Sequence, residues 1–245
     1  MANTKTVSSL VTSIRQRADM EGSSFVSDSE IVDYINQSIA ELHDLLINLF
    51  EDYYVESVSF SLPDGNPTTL PDGDPAGSNF PTKKGFYKAL GVDVDCGGIK
   101  YNVPRYMFSE RNAYNGIGGD VNGGLNIHYS IQGDKIRFIP ESTASGTVTL
   151  WYAPEPQYFS GPSDTDTLSV KARHISRGYE EFIILDGAIK CLLKEESDVN
   201  VLIAQRELIR GRIKEAAATR DAASPMRISD VSTGSFRSGY VNWKI

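Results

Sequence analysis

Apolar positions along the chain change their spacing three times. At the start Val7, Leu10, Val11, Ile14 and Ala18 recur every three or four residues, which places them on one helix face, and Gly22 marks the stop. A second helix is predicted over 28–50. Ser27-Asp28-Ser29-Glu30 has the form of a capping box, in which Ser27 accepts from the Glu30 amide and Glu30 reaches back to the Ser27 amide. Asp28 and Glu30 also set negative charge at the positive end of the helix dipole. Behind this cap Ile31, Ile35, Ile39, Leu42, Leu46 and Leu49 make one continuous stripe. From Tyr53 the period falls to two. Tyr54, Glu56, Val58, Phe60 and Leu62 alternate with Val55, Ser57, Ser59 and Ser61, as in a half-buried strand. Further strands are expected at 87–94, 125–131, 135–139 and 147–152, with Gln132-Gly133-Asp134 as a tight hairpin. Pro63-Asp64-Gly65 and Pro71-Asp72-Gly73 repeat one turn tripeptide, and 112–124, glycine-rich and without period, reads as a long surface loop. Helical spacing then returns in Phe182, Ile183, Leu185, Ile189, Leu192 and Leu193, with a break near Ser197-Asp198. A last helical run carries Val199, Leu202, Ile203, Ile209 and Ile213. It ends at Ser224-Pro225, because proline disfavours helix in the residue before it.

Neither terminal pair of helices can bury its stripe alone. The economical solution is an α+β fold in which N- and C-terminal helices form one helical bundle, with an antiparallel β domain inserted between them and an extended C-terminal tail. The boundaries expected are 1–52 and 173–223 for the two parts of the helical domain, 53–172 for the β domain and 224–245 for the C-terminal arm.

Composition narrows the function. With 245 residues, 40% hydrophobic and 23% charged, the chain suits one large folded domain or two small ones. A net charge of −8 counts against a protein that grips DNA through many phosphate contacts. Cys96 and Cys191 make no disulfide framework and suit a reducing compartment. No run approaches the ~18 apolar residues of a membrane span, and 1–5 lacks the apolar core of a signal peptide.

Candidate chemistry is thin. His43, His128 and His174 fall in different elements at spacings that match no zinc signature. His43 reads as a packed or surface residue, Cys191 as core, and Cys96, before Gly97-Gly98, as a turn residue. Asp72-Gly73-Asp74 and Asp93-Val94-Asp95 invite a calcium site, but Pro75 and the missing closing ligands favour plain acidic turns. The glycines from Gly116 to Gly124 lack the Lys-Ser/Thr of a phosphate loop, and Val121 spoils a dinucleotide fingerprint. Arg206, Arg210, Arg212, Lys214 and Arg220 stand among Glu207, Glu215 and Asp221, the pattern of a solvated helix face. No catalytic, cofactor-binding or metal residue is assigned, and a non-enzymatic chain of two modules is expected.

Three stretches carry a family resemblance. They are Leu10-Val11-Thr12-Ser13-Ile14-Arg15-Gln16-Arg17-Ala18-Asp19-Met20 leading into Phe25-Val26-Ser27-Asp28-Ser29-Glu30-Ile31 and Tyr34-Ile35-Asn36; Gly178-Tyr179-Glu180-Glu181-Phe182-Ile183-Ile184-Leu185-Asp186-Gly187-Ala188-Ile189-Lys190 with Lys194-Glu195-Glu196-Ser197-Asp198; and Ala216-Ala217-Ala218-Thr219-Arg220-Asp221-Ala222. The chain resembles the head-to-tail adaptor, or connector, proteins of tailed bacteriophages, especially the short-tailed ones. The likeness covers both helical ends, and the β middle is not matched residue by residue. It implies a structural virion protein at the head–tail junction, assembled in the host cytoplasm into a ring of twelve copies beneath the portal. The implied partners are the portal protein, tail nozzle or tail fibre proteins and further copies of the chain. The genome is expected to pass through the lumen unbound, without cofactor or membrane. A C-terminal arm that reaches into the portal singles out Arg227, Phe236, Arg237, Tyr240 and Trp243 as portal-docking candidates, since aromatic side chains make effective interface anchors. Two alternatives stay open: a β-domain binding module for a fibre or glycan on a helical stalk, and a metal-dependent hydrolase using the Asp-rich turns.

Overall fold

Side-chain caps start the first two helices. The computed structural model describes residues 4–50, 53–62, 67–72, 84–112, 127–140, 146–171 and 178–219. Helix α1 (Val7–Arg17) begins where Thr6 accepts from the Ser9 amide. Helix α2 (Asp28–Leu49) begins on the expected capping box: the Glu30 amide donates to Ser27 Oγ at 3.3 Å and the Ser27 amide donates to Glu30 Oε2 at 3.0 Å. Between them Arg15 holds the turn together, donating to the Ser23 and Val26 carbonyls at 2.8 Å each and to Asp28 at 2.6 Å. A short helix α3 (Leu168–Lys171) precedes α4 (Glu180–Lys194) and α5 (Asn200–Ala218).

Helix α4 is the centre of the bundle. It packs against α1, α2 and α5, and every residue from Phe182 to Ile189 is buried. Its apolar residues therefore face all round rather than along one stripe. Gly187 lets α1 come close, since a Cβ there would stand 2.6 Å from Ile14 Cδ1. The stripe predicted on α5 needs correction. Its inner face runs Leu202, Arg206, Ile209, Ile213 and Ala217, so Ile203 falls off it and is 36% exposed. Arg206 is not on a solvated face but in the middle of the packed one.

The strands form two antiparallel sheets. One has the order β1 (Glu56–Leu62), β7 (Gly146–Pro154), β3 (Phe86–Cys96), β4 (Ile99–Asn102). The other runs β2 (Thr68–Thr69), β6 (Lys135–Ile139), β5 (His128–Gln132). Val58 faces Leu150 and Phe60 faces Val148 across β1 and β7, so the alternation read from the sequence is the alternation that buries. Both sheets contribute to one apolar cluster that includes Val58, Val92, Val148, Leu150, Ile136 and Phe138. The hairpin between β5 and β6 turns at Gly133, φ 62°. That between β3 and β4 turns at Gly97 and Gly98, both with positive φ, as a two-residue turn of this hand requires. Two expectations change here. Cys96 ends β3 opposite Ile99, beside the turn rather than in it, and Asp93-Val94-Asp95 is strand, not an acidic turn. Strands β2 and β4 are too short to announce themselves: one is two residues long, and the other is a four-residue exposed edge whose alternation, Ile99-Lys100-Tyr101-Asn102, covers only two apolar positions. The predicted loop at 112–124 lies outside the described residues except for Asn112, as do Gly73 and Asp74.

Residues flanking the sheets fasten them to the bundle. Tyr53, Tyr54, Ala153, Phe159 and Leu168 pack into the helical core. Asn36 exchanges two hydrogen bonds with the Phe159 backbone, at 3.0 and 2.9 Å, and the Leu168 amide donates to the Lys5 carbonyl at 2.7 Å. His43 is buried, its Nε2 donates to the Pro154 carbonyl at 2.9 Å, and its ring stacks on Tyr54. Its Nδ1 is buried and has no partner among the described residues.

Burial holds His43 below its ordinary pKa of 6.5, against smaller opposing effects of the Pro154 carbonyl and Asp44. Protonation is thus harder folded than unfolded. The stabilisation is complete above about pH 6.5 and is lost as pH falls through the depressed folded value. His43→Gln keeps a donor for Pro154 without titrating. Its urea midpoint should decline less than wild type between pH 7 and 5.5; an identical decline would show that His43 does not report the seam.

Candidate functional site

The predicted docking residues Arg227, Phe236, Arg237, Tyr240 and Trp243 all lie outside the described residues. Among the described residues no group of His, Cys, Asp or Glu is placed to hold a metal ion. Cys191 is core, as expected, and burial pushes its thiol up to about 11. The structure instead brings together an ionic node and a groove, both on the helical bundle.

Asp186 forms the node. It lies on α4 with 1% of its side chain exposed, where an isolated carboxylate would be strongly disfavoured. Three elements answer it. Ser38 of α2 donates to Oδ2 at 2.6 Å, Lys190 one turn along α4 reaches Oδ2 at 2.7 Å, and Arg206 of α5 reaches Oδ1 at 2.6 Å. Burial alone would raise this carboxyl; the hydrogen bonds from Lys190 and Ser38, helped by Arg206, outweigh it and hold the pKa below 3.8. The outer arms continue to Glu41 from Lys190 and to Glu207 from Arg206. The sequence pattern assigns Asp186 no role, although an acid in the middle of an apolar run with Lys four residues on is a visible signal.

Above the node, α2 and α5 enclose an open groove of about 480 Å³. Its floor is Leu45, Leu49 and Phe182. Glu41, Asp44 and Asn48 line the α2 wall, and Arg206, Arg210 and Lys214 the α5 wall. One wall is acidic and the other basic. A second cavity of about 440 Å³ sits where the sheets meet the bundle, among Asp72, Lys84, Glu155, Tyr158, Asp166 and Lys171. Its charges answer one another: Lys171 pairs with Asp164 at 3.3 Å and Asp166 at 3.1 Å. Backbone amides of Asp166 and Ser160 hold Asp164 down to about 2.

The outer surfaces differ in character. The far side of α5 presents Val201 and Leu208, 68% and 71% exposed. The outer face of the first sheet is polar, with Ser57, Ser59, Thr147, Thr149 and Asp93 around Trp151, whose indole N–H donates to Asp93 at 2.8 Å.

A family model described as SU10 adaptor protein matches residues 5–229. That span takes in both parts of the bundle and the sheets between them. Of the tail candidates, Arg227 falls within the match, while Phe236, Arg237, Tyr240 and Trp243 lie beyond it. No curated protein matches the chain.

Removing the carboxylate takes from Lys190 and Arg206 their buried partner and leaves them the outer carboxylates Glu41 and Glu207. Asp186→Ala should cost about 3 kcal/mol in urea unfolding, the lower end for a broken buried pair because the Lys190 and Arg206 heads reach water. The wild-type contribution is present above about pH 4 and is lost as pH falls through the depressed folded pKa, so the variant should lose less stability than wild type below pH 4. An Asp186→Ala protein as stable as wild type at pH 7 would remove the node from the account of the fold.

Proposed function

Because the chain belongs to the SU10 adaptor protein family, we propose that it is a head-to-tail adaptor of a tailed phage. In this reading it is a structural virion protein that forms a ring of twelve copies beneath the portal. It links the portal to tail nozzle or tail fibre proteins and lines part of the conduit for DNA ejection. The family match over 5–229 carries the proposal. The division into a helical frame with an inserted β domain suits it, because a frame closed by both chain ends can carry an insertion without being interrupted. A net charge of −8 suits a lumen that does not grip phosphates. The tail holding Arg227, Phe236, Arg237, Tyr240 and Trp243 is the proposed portal anchor. It is weakly basic in an acidic chain and rich in aromatic side chains, which bury large area at low rotamer cost.

One observation favours the alternative of a glycan- or fibre-binding β domain. Trp151 is 38% exposed on a polar sheet face with its N–H held by Asp93, and an exposed indole is a side chain on which a sugar can stack. Glycan binding abolished by Trp151→Ala, with no portal attachment, is the result that would favour this reading.

The adaptor reading is tested by mixing the full chain with the portal protein of the same phage and weighing the complex by mass photometry. A ring matching the portal's symmetry is expected. A portal that takes up only one or two copies at saturation contradicts it. Deleting 226–245 should leave the thermal midpoint almost unchanged while abolishing attachment. If the truncated chain attaches as tightly as the full one, the anchor is elsewhere.

A further inference from the structure

Helix α5 is apolar on two opposite sides. Leu202, Ile209, Ile213 and Ala217 face the core, while Val201 and Leu208 face outward. The outward pair is two turns apart on one line, and the small residues Ala204 and Gly211 share that side. Together Val201 and Leu208 give a helix that already has a buried face a second, outward apolar ridge. By helical position Arg212 stands on one flank of the ridge, and Glu215 continues its line two turns beyond Leu208, both exposed.

The groove between α2 and α5 has the complementary form. Its floor is apolar, its α2 wall carries Glu41 and Asp44, and its α5 wall carries Arg210 and Lys214. We propose that the outer ridge of α5 in one copy seats in the α2–α5 groove of the next, with Arg212 against Glu41 and Asp44. This rests on the ring reading above. Ridge and groove are different surfaces of one chain, so the contact is heterologous: each copy donates once and accepts once, and the chain of contacts closes where the rotation allows. The two carboxylates on the α2 wall deter a nucleic acid, and the basic wall opposite deters a wholly basic peptide. A second copy presents an apolar ridge for the floor and the Arg212 cation beside it for the acidic wall.

Disulfide trapping tests the contact in the full chain on a Cys96→Ser background, Cys191 being buried and unreactive. Asn48 lies in the groove and Leu208 on the opposite side of α5, so Asn48→Cys with Leu208→Cys bridges only between copies. On oxidation of the portal-bound assembly the double variant should give a covalent ladder, and either single variant none. A ring seen by mass photometry without any ladder overturns this surface and leaves the ring reading standing. No multi-copy assembly in any variant removes the ring reading and this surface with it. As a check independent of thiols, Arg212→Glu should raise the concentration needed for assembly about tenfold, and Asp44→Arg added to it should restore assembly. Failure of the pair to rescue overturns the charge pairing.

Discussion

Everything in the fold follows from the burial of α4. Phe182 to Ile189 is apolar on all sides except at Asp186, and such a segment must be covered all round. Each large side chain removed from water contributes roughly 1.5–3 kcal/mol, so leaving one face open would forfeit several. Helix α5 covers part of it, and the rest can come only from α1 and α2, which are far away in sequence. The two chain ends are thereby drawn together, and what lies between them becomes a closed excursion. Two sheets with a core of their own fill that excursion. The seam between the cores is stitched by the Asn36 and His43 side chains and the Lys5 carbonyl, which bond backbone groups of Phe159, Pro154 and Leu168 at the end of β7 and beyond it.

Apolar burial alone leaves the helices free to slide, since one hydrophobic contact substitutes readily for another. Asp186 removes that freedom. Its two oxygens are met from α2, α4 and α5 together; a shift of α5 by a turn would part Arg206 from the carboxylate, and a shift of α2 would remove the Ser38 donor. Shape thus supplies most of the free energy, and one charged node supplies the register.

Helices and hairpins were legible in the sequence because their causes are local. The capping box at Ser27, the stripe from Ile31 to Leu49 and the alternation from Val58 to Leu62 each announce an element within a few residues, and the structure has all three. The α+β class followed from the change of period. What stayed hidden depends on contacts between distant segments. Arg206 lies among charged neighbours and looks solvated; only the approach of Asp186 turns it inward. His43 takes its meaning from Pro154, and β4 exists because β3 offers it an edge. The groove was illegible for the same reason, since its walls come from α2 and α5 and no local pattern pairs them.

The same economy bears on how such a chain assembles. Most of its apolar surface is consumed inside the monomer, and the ridge of Val201 and Leu208 is a small remainder. At roughly 25 cal/mol per Å² a contact of a few hundred Å² is worth a few kcal/mol, below the loss of translational and rotational freedom on pairing. Stable pairs generally bury more than about 1,000 Å² in total. Free copies joined only by such a ridge therefore stay apart. Held side by side on a symmetric platform, they meet at an effective concentration of order millimolar, and the same weak contact closes link after link. In the proposed ring, weak lateral contacts thus leave the order of assembly to the platform.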